Sequence, residues 1–349
     1  MSWDDPEPQD YTIRLLWRTD AHLSDHPPKT RVDDWTETIL GKVRQTVDLA
    51  KKHNAHILDG GDFFHIKSPS RNSHRLVRQV AEVHKGVQVW ANVGNHDCKY
   101  GDIENLPEQP LGVLFESGVF RRLYDKHEAV FDSPAIRESG GTSNKVRVVG
   151  VPYHGTSYDL DRFRNIKRGG EDYLVVVAHC LASKDGGEMF GAEDILKYEF
   201  LDSLSDVDVF CFGHWHKNQG IYELSKANRV SRNSSRYVVN VGSLSRGALT
   251  QDEMTRVPEV VLMEFGVNGS GITLTEIPLT VQSAKEVFNV EGRVRQEARE
   301  STMEAFVKNI EEALLRTDKK SLIEVVSEMR DVPVEVKERA IHFLELAAQ

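Results

Sequence analysis

Five short clusters of carboxylate, amide and imidazole side chains stand in order along this chain: Asp20 with His22, Asp62, Asn95 with His96 and Asp97, His179, and His214 with His216. Each follows an apolar run of strand character, at Ile13 to Trp17, Ala55 to Leu58, Val87 to Val93, Leu174 to Ala178 and Val207 to Phe212. Helical segments, such as Trp35 to His53 and Ser70 to Lys85, alternate with the early runs, which predicts a layered α/β fold. In such folds the strand ends and the loops after them collect ligands and catalytic groups. Clusters far apart in sequence can therefore meet at one edge of a sheet.

The pattern changes along the chain. Residues 1–10 read as a disordered tail, and 11–280 as the main domain. Later strands at Tyr237 to Val241, Val260 to Phe265 and Ile272 to Ile277 come with short Gly-rich turns and suggest a second, more antiparallel sheet. Residues 281–349 read as a small helical appendage, a cap or partner-docking region. Met303, Phe306, Val307, Ile310, Leu314 and Leu315 recur there at helical spacing, and Pro333 fits the opening of a last helix.

Composition removes several alternatives. No run of about 20 apolar residues exists to span a bilayer, and the acidic start lacks the features of a signal peptide, so a cytoplasmic location is expected. Cys98, Cys180 and Cys211 form no C-x-x-C pair, which argues against a zinc knuckle and a disulfide scaffold and for reduced, packed thiols. A net charge of -10 argues against a nucleic-acid partner at first sight. Basic stretches at Lys67, Arg71, Arg75, Arg78 and Lys85, at Arg162, Arg164, Lys167 and Arg168, and at Lys226, Arg229, Arg232 and Arg236 argue the other way. Each is read equally well as a solvated face or as a surface that tracks phosphates.

The five clusters have the chemistry of a dimetal site. Two divalent ions about 4 Å apart require a shared anionic ligand, and Asp62, in Gly60-Gly61-Asp62, is the best candidate. A D-x-H pair on extended backbone puts Asp20 and His22 on one side, so both can reach one ion. His214 and His216 repeat that spacing at another strand end. Asn95 offers a neutral oxygen, and His179 completes a second set of donors. Mixed imidazole and carboxylate donors suit manganese, iron or zinc better than magnesium. Any one of these motifs is common as surface decoration; all five in order, each after a strand, are not.

Asp20-Ala21-His22, Gly61-Asp62, Gly94-Asn95-His96-Asp97, His179 and Gly213-His214-Trp215-His216 together resemble the full motif set of the calcineurin-like binuclear metallophosphoesterases. Within that superfamily, Gly61-Asp62-Phe63-Phe64-His65 with Pro69-Ser70-Arg71 resembles the SbcD-type nucleases of DNA double-strand-break repair. Protein phosphatases of the superfamily carry Asp-Arg-Gly after this motif and Glu in place of Asp97. The resemblance implies a four-layer αββα sandwich with two divalent ions, manganese being expected, at its upper edge. Asp20, His22, Asp62 and His216 would hold one ion, and Asp62, Asn95, His179 and His214 the other. By the same resemblance His96 would protonate the leaving oxygen, Asp97 would orient that imidazole, and His65 would help position a strand for exonuclease cleavage. Arg71, Arg75 and Arg78 would follow phosphates.

The implied activity is DNA exonuclease and endonuclease cleavage in repair or recombination, with DNA and an SbcC-type coiled-coil ATPase as partners and a homodimer as a further assembly. The alternatives are a phosphodiesterase for small or cyclic nucleotides, and a mainly scaffolding subunit of an ATPase complex. The chain departs from the nucleases at Ser24, where Gly is common, and at Val241, where Pro is common. Its C-terminal region is also shorter and more helical than their DNA-binding cap. The compact size would suit a phage-encoded relative.

Overall fold

Odd and even residues of the same strand enter different cores, and this partition builds the layers. A computed structural model describes residues 11–65, 72–98, 102–133, 144–184, 193–225, 235–267 and 270–290, with part of 323–347. The first four strands are β1 (Ile13–Arg18), β2 (His56–Asp59), β3 (Val89–Ala91) and β4 (Phe120–Arg122). Next come β5 (Ala129–Asp132), β6 (Lys145–Val151), β7 (Tyr173–His179) and the short pair β8 (Ala182–Ser183) and β9 (Leu196–Lys197). The remaining strands are β10 (Val209–Gly213), β11 (Gly220–Glu223), β12 (Tyr237–Asn240), β13 (Glu259–Phe265) and β14 (Ile272–Pro278).

One six-stranded sheet runs β14-β13-β1-β2-β3-β4, and the other runs β11-β12-β10-β7-β6-β5. On β1, Leu16 packs with the helices α1 (Trp35–Lys52), α2 (His74–Val83) and α3 (Pro110–Glu116), while Leu15 and Trp17 face the second sheet. On β7, Val175 and Val177 face the first sheet, and Leu174, Val176 and Ala178 enter a third core on the outer side. The two-residue period of a strand thus gives each sheet two buried faces, and three apolar layers separate four layers of structure. This is the αββα sandwich. The apolar runs at the central strands are continuous because parallel strands covered on both faces have no solvent side.

The late strands do not make a sheet of their own. β13 pairs antiparallel with β1 and with β14, extending the first sheet, whereas β12 lies parallel to β10 in the second. Alternation and Gly-rich turns report a strand's exposure but not its neighbour, and here β13 joins the first strand of the chain, Ile13 pairing with Phe265. The compact unit containing both sheets ends at Phe288, and a second unit begins at Asn289. In the second unit a helix spans Val334–Ala347, and the Pro333 carbonyl accepts a hydrogen bond from the Lys337 N–H. The tail 1–10 and the apolar stripe from Met303 to Leu315 lie outside the described residues. Among the described residues no helix is long and apolar enough to cross a membrane. All three cysteines are buried and none is in a disulfide.

A buried polar network ties the helices to the strand ends that carry the clusters. Arg18, at the end of β1, donates to Asp59 Oδ2 at 2.7 Å, to Thr46 Oγ1 at 2.9 Å and to His84 Nε2 at 2.9 Å. The other Asp59 oxygen accepts the Gly61 N–H at 3.2 Å, which sets the loop leading to Asp62. His84 donates Nδ1–H to the Val80 carbonyl at 2.8 Å, so its Nε2 is the acceptor and the ring is neutral. Burial, and then the Arg18 charge, holds His84 well below its ordinary value. A proton refused by the folded state is still taken by the unfolded chain below pH about 6.5. Stability of the metal-free protein should therefore begin to fall as pH drops below about 6.5 and go on falling until the lowered folded-state value is reached. Urea midpoints across that range would show it, and His84→Gln should flatten the slope; an unchanged slope would remove His84 from the cause.

Candidate metal centre

The carboxyl ends of β1, β2 and β3 in one sheet and of β7 and β10 in the other open at a common edge, and there the five clusters meet. The loop after β1 runs beside the loop after β2: Asp20 N–H donates to Gly61 O, His22 N–H to Asp62 O, Leu23 N–H to Phe63 O, and His65 N–H to Leu23 O. This pairing seats Asp20 and His22 against Asp62. Sequence spacing suggested an extended D-x-H pair, but Asp20 and His22 have φ of 54° and 48°. Asp62 (51°) and His214 (92°) are also left-handed, a conformation disfavoured for residues with a Cβ. Such backbone persists where surrounding bonds over-determine it, commonly at functional sites. The side chains converge through these turns instead of through a strand's pleat.

Three groups of donors form among the described residues: His22, His65 and His96 make one, and the other two hold the carboxylates. Asp20, His22 and His216 bring ligand atoms within 4.8 Å of one another, and so do Asp62, His179 and His214. His22 Nε2 lies 2.9 Å from His216 Nε2 and 3.7 Å from Asp20 Oδ1. In the other group His179 Nε2 is 3.3 Å from Asp62 Oδ2 and 3.3 Å from Asn95 Oδ1. Asp62 belongs to the group with His179 and also reaches His22 of the other. Its Oδ1 accepts the His96 N–H at 2.7 Å, and its Oδ2 stands 3.8 Å from His22 Nε2 as well as 3.3 Å from His179. One carboxylate oxygen thus faces both groups. The approach leaves no room at Gly94, where a Cβ would come within 2.1 Å of Asp62 Oδ1.

The electrostatics suit a cation. Burial opposes charge on Asp20, His22, Asp62, His179 and His216. Nevertheless His22, His179 and His216 hold Asp20 well below the usual carboxylate range, and His179 and His22 do the same for Asp62. Burial also disfavours the His179 imidazolium, but the Asp62 and Asp20 carboxylates together outweigh it and raise that group to about 10. For His22, burial wins and the value falls to about 4. Two buried, ionised carboxylates in contact with imidazoles, one of them holding a proton where a positive charge is wanted, form a donor set fitted to divalent ions. His179 donates Nδ1–H to the Gly60 carbonyl at 2.9 Å, so Nε2 is the nitrogen aimed inward.

His96, His65 and Asp97 lie beside these donors. His96 Nδ1 is 2.9 Å from the His65 carbonyl, and the two rings stack with centroids 5.3 Å apart. His65 Nδ1 is 3.3 Å from His22 Nδ1. Asp97 does not orient the His96 imidazole. Its buried carboxylate accepts the N–H groups of Asp62 at 2.7 Å, Gly94 at 3.0 Å and Phe64 at 3.2 Å. It clamps the loop carrying Asp62 to the loop carrying Asn95 and His96. Residue adjacency suggested an imidazole partner, but backbone N–H groups close the tight turn at this point and satisfy the carboxylate first.

The basic stretches separate from the site in different ways. Arg75 and Arg78 lie on α2, and Arg78 pairs with Glu82; Lys67, Arg71, Lys226, Arg229 and Arg232 lie outside the described residues. Arg162, Arg164, Lys167 and Arg168 each have an acidic neighbour within 4.0 Å, at Asp159, Asp161, Asp206 and Asp208. Sequence reasoning missed Glu193, whose Oε1 is 3.0 Å from His214 Nε2, and Tyr153, whose ring centroid is 5.4 Å from that of His214. Neither carries a motif. A cavity of about 760 Å³ opens beside Asn95, lined by Tyr153, His154, Asp102, Glu104, Asp125 and Arg162.

An αββα sandwich with a dimetal donor set at the shared strand edge is the arrangement of a metal-dependent phosphoesterase. The calcineurin-like phosphoesterase family profile matches residues 13–218, and the chain belongs to that family. No curated protein matches it in sequence. Among solved structures it is similar to TT1561 of Thermus thermophilus, at 12% identity over 76% of this chain and 99% of that one, with a TM-score of 0.42. It is likewise similar to GAP50, the anchor in the inner membrane complex of Plasmodium, at 11% identity over 79% of this chain and 90% of that one, with a TM-score of 0.44.

Proposed function

We propose that the chain is a binuclear, manganese-dependent DNA nuclease that hydrolyses phosphodiesters in repair or recombination. The observation that carries the reading is the Asp62 carboxylate, held by the His96 N–H on one oxygen and presenting the other to both donor groups. Asp20, His22, Asp62 and His216 would hold one ion, and Asp62, Asn95, His179 and His214 the other. When bound, such a pair supplies an activated nucleophile and neutralises charge on the phosphate. The chain's own residues then orient and protonate. His96 gives its Nδ1–H to the His65 carbonyl, so it is as the doubly protonated ring that it would deliver the Nε2 proton to the departing oxygen and be left neutral. Asp97 keeps the two loops in register. The nuclease branch is supported by Phe63-Phe64-His65 after Gly61-Asp62 and by Arg75 and Arg78 on α2. An SbcC-type ATPase, or a second copy of this chain, is the partner proposed for the region after residue 280.

A second reading, a phosphodiesterase for small nucleotides, is favoured by the cavity beside Asn95. Its volume is within the range of small-ligand sites, and Asp102, Glu104 and Asp125 on its walls would repel a polyanion. Hydrolysis of single-stranded DNA, duplex DNA, a cyclic nucleotide and bis-p-nitrophenyl phosphate, with and without manganese, separates the two. A nuclease should cut DNA only with metal, and its DNA binding should weaken steeply with salt. Arg75→Ala with Arg78→Ala should reduce that slope by about one unit per lost contact while sparing the small diester. Turnover of the cyclic nucleotide without DNA cleavage would reject the nuclease.

A further inference from the structure

Glu193 sits outside both donor groups and touches only one of their members. Its Oε1 lies 3.0 Å from His214 Nε2 and accepts the Tyr158 hydroxyl at 2.6 Å. Tyr158 is buried and is itself held twice: its oxygen accepts the Leu181 N–H at 2.8 Å, and its own N–H donates to Asp194 Oδ2 at 3.0 Å. Asp194 is anchored in turn, its N–H donating to the Thr156 carbonyl at 2.8 Å. Leu181 closely follows His179 in the chain, so the Glu193 carboxylate is tied to the loop that carries another candidate ligand of the same group.

A carboxylate has no proton to give at neutral pH, so His214 must carry its proton on Nε2, and Nδ1 is left with the lone pair. A carboxylate on the far nitrogen of a ligating histidine fixes the tautomer and ring rotation and raises the basicity of the near one. The other candidate imidazoles are held differently: His179 by a backbone carbonyl, and His22 by contact with the His65 ring. Among the described residues His214 is the one whose ring nitrogen meets a carboxylate from outside both groups.

We propose that Glu193 is a positioning residue for the ion held by Asp62, Asn95, His179 and His214, presenting His214 through Nδ1. The inference rests on the binuclear reading above, and it adds an asymmetry between the two ions. Losing Glu193 weakens the ion at His214 and spares the ion held with Asp20, His22 and His216.

Calorimetric titration of the metal-free, full-length protein with manganese tests this without any activity assay. The unaltered protein should bind two ions. Glu193→Ala should weaken one of them about 10- to 100-fold and leave the other unchanged. In parallel, the electron paramagnetic spectrum at intermediate loading should change from that of a coupled manganese pair to that of single ions. Glu193→Gln keeps an acceptor oxygen but not the charge, and should fall between; it carries the test if Glu193→Ala lowers the melting temperature of the metal-free protein. Two ions bound at the original affinities in both variants would overturn the proposal, as would equal weakening of both ions. If the unaltered protein binds no pair, the binuclear reading itself fails, and that outcome is visible before any variant is compared.

Discussion

Asp62→Asn should empty both metal positions and end hydrolysis, because among the described residues no other side chain presents one oxygen to both donor groups. Oδ1 is occupied by the His96 N–H, and Oδ2 is the atom 3.8 Å from His22 Nε2 and 3.3 Å from His179 Nε2. An amide in that place removes the shared negative charge. It also turns an NH₂ group either toward the ions or toward the His96 N–H, and neither arrangement satisfies both sides. The rate should fall by well over about 100-fold, which is the upper end for losing only an outer partner of a ligand. Metal content after dialysis, read by elemental mass spectrometry beside the hydrolysis rate, decides the point. Two retained ions with undiminished turnover would remove Asp62 from the bridging role. The backbone is protected from indirect effects, since the Asp62 N–H is bound by Asp97 and its carbonyl by the His22 N–H.

His96→Ala should leave both ions bound and slow DNA cleavage by about 10² to 10⁴, the usual contribution of a positioned proton donor. The separation follows from which atoms do what. It is the backbone N–H of His96 that holds Asp62, and alanine keeps it. The lost atoms are those of the ring, which is stacked on His65 and anchored through Nδ1 to the His65 carbonyl. A leaving group that needs no proton distinguishes proton donation from general damage. Bis-p-nitrophenyl phosphate, which expels a stable phenolate, should be hydrolysed by the variant at close to the original rate while DNA is not. Equal slowing on both substrates, or loss of metal as in Asp62→Asn, would end the assignment of His96 as the acid.

The central strands were legible because burial on both faces makes them continuous apolar runs, as in Leu174 to Ala178 and Val209 to Phe212. Strand β6 was not, since Lys145 and Arg147 interrupt its apolar residues; Arg147 is paired with Glu171 and Glu128. Helix α1 was legible as the segment Trp35 to His53, and in the fold Asp34 caps it by accepting the Glu37 N–H at 3.0 Å. The partners of β13 and β14 were not, because alternation describes a strand's faces and leaves its edges unspecified. At the site, the donors stood in plain order, but the left-handed turns that aim Asp20, His22, Asp62 and His214 depend on hydrogen bonds between separate loops.

The sequence by itself determined which atoms are present to bind a cation and that each group of them follows a strand, since donor type and apolar period are properties of a residue and its near neighbours. Only the tertiary structure decided which oxygen of Asp62 faces both groups, that Asp97 clamps backbone instead of an imidazole, and that Glu193 stands behind His214. Those outcomes join residues 34, 35 and 21 positions apart respectively in the pairs Asp62–His96, Asp62–Asp97 and Glu193–His214. Contacts at such separations are set by how two sheets stack and how the loops at their common edge pair, and no local pattern encodes that.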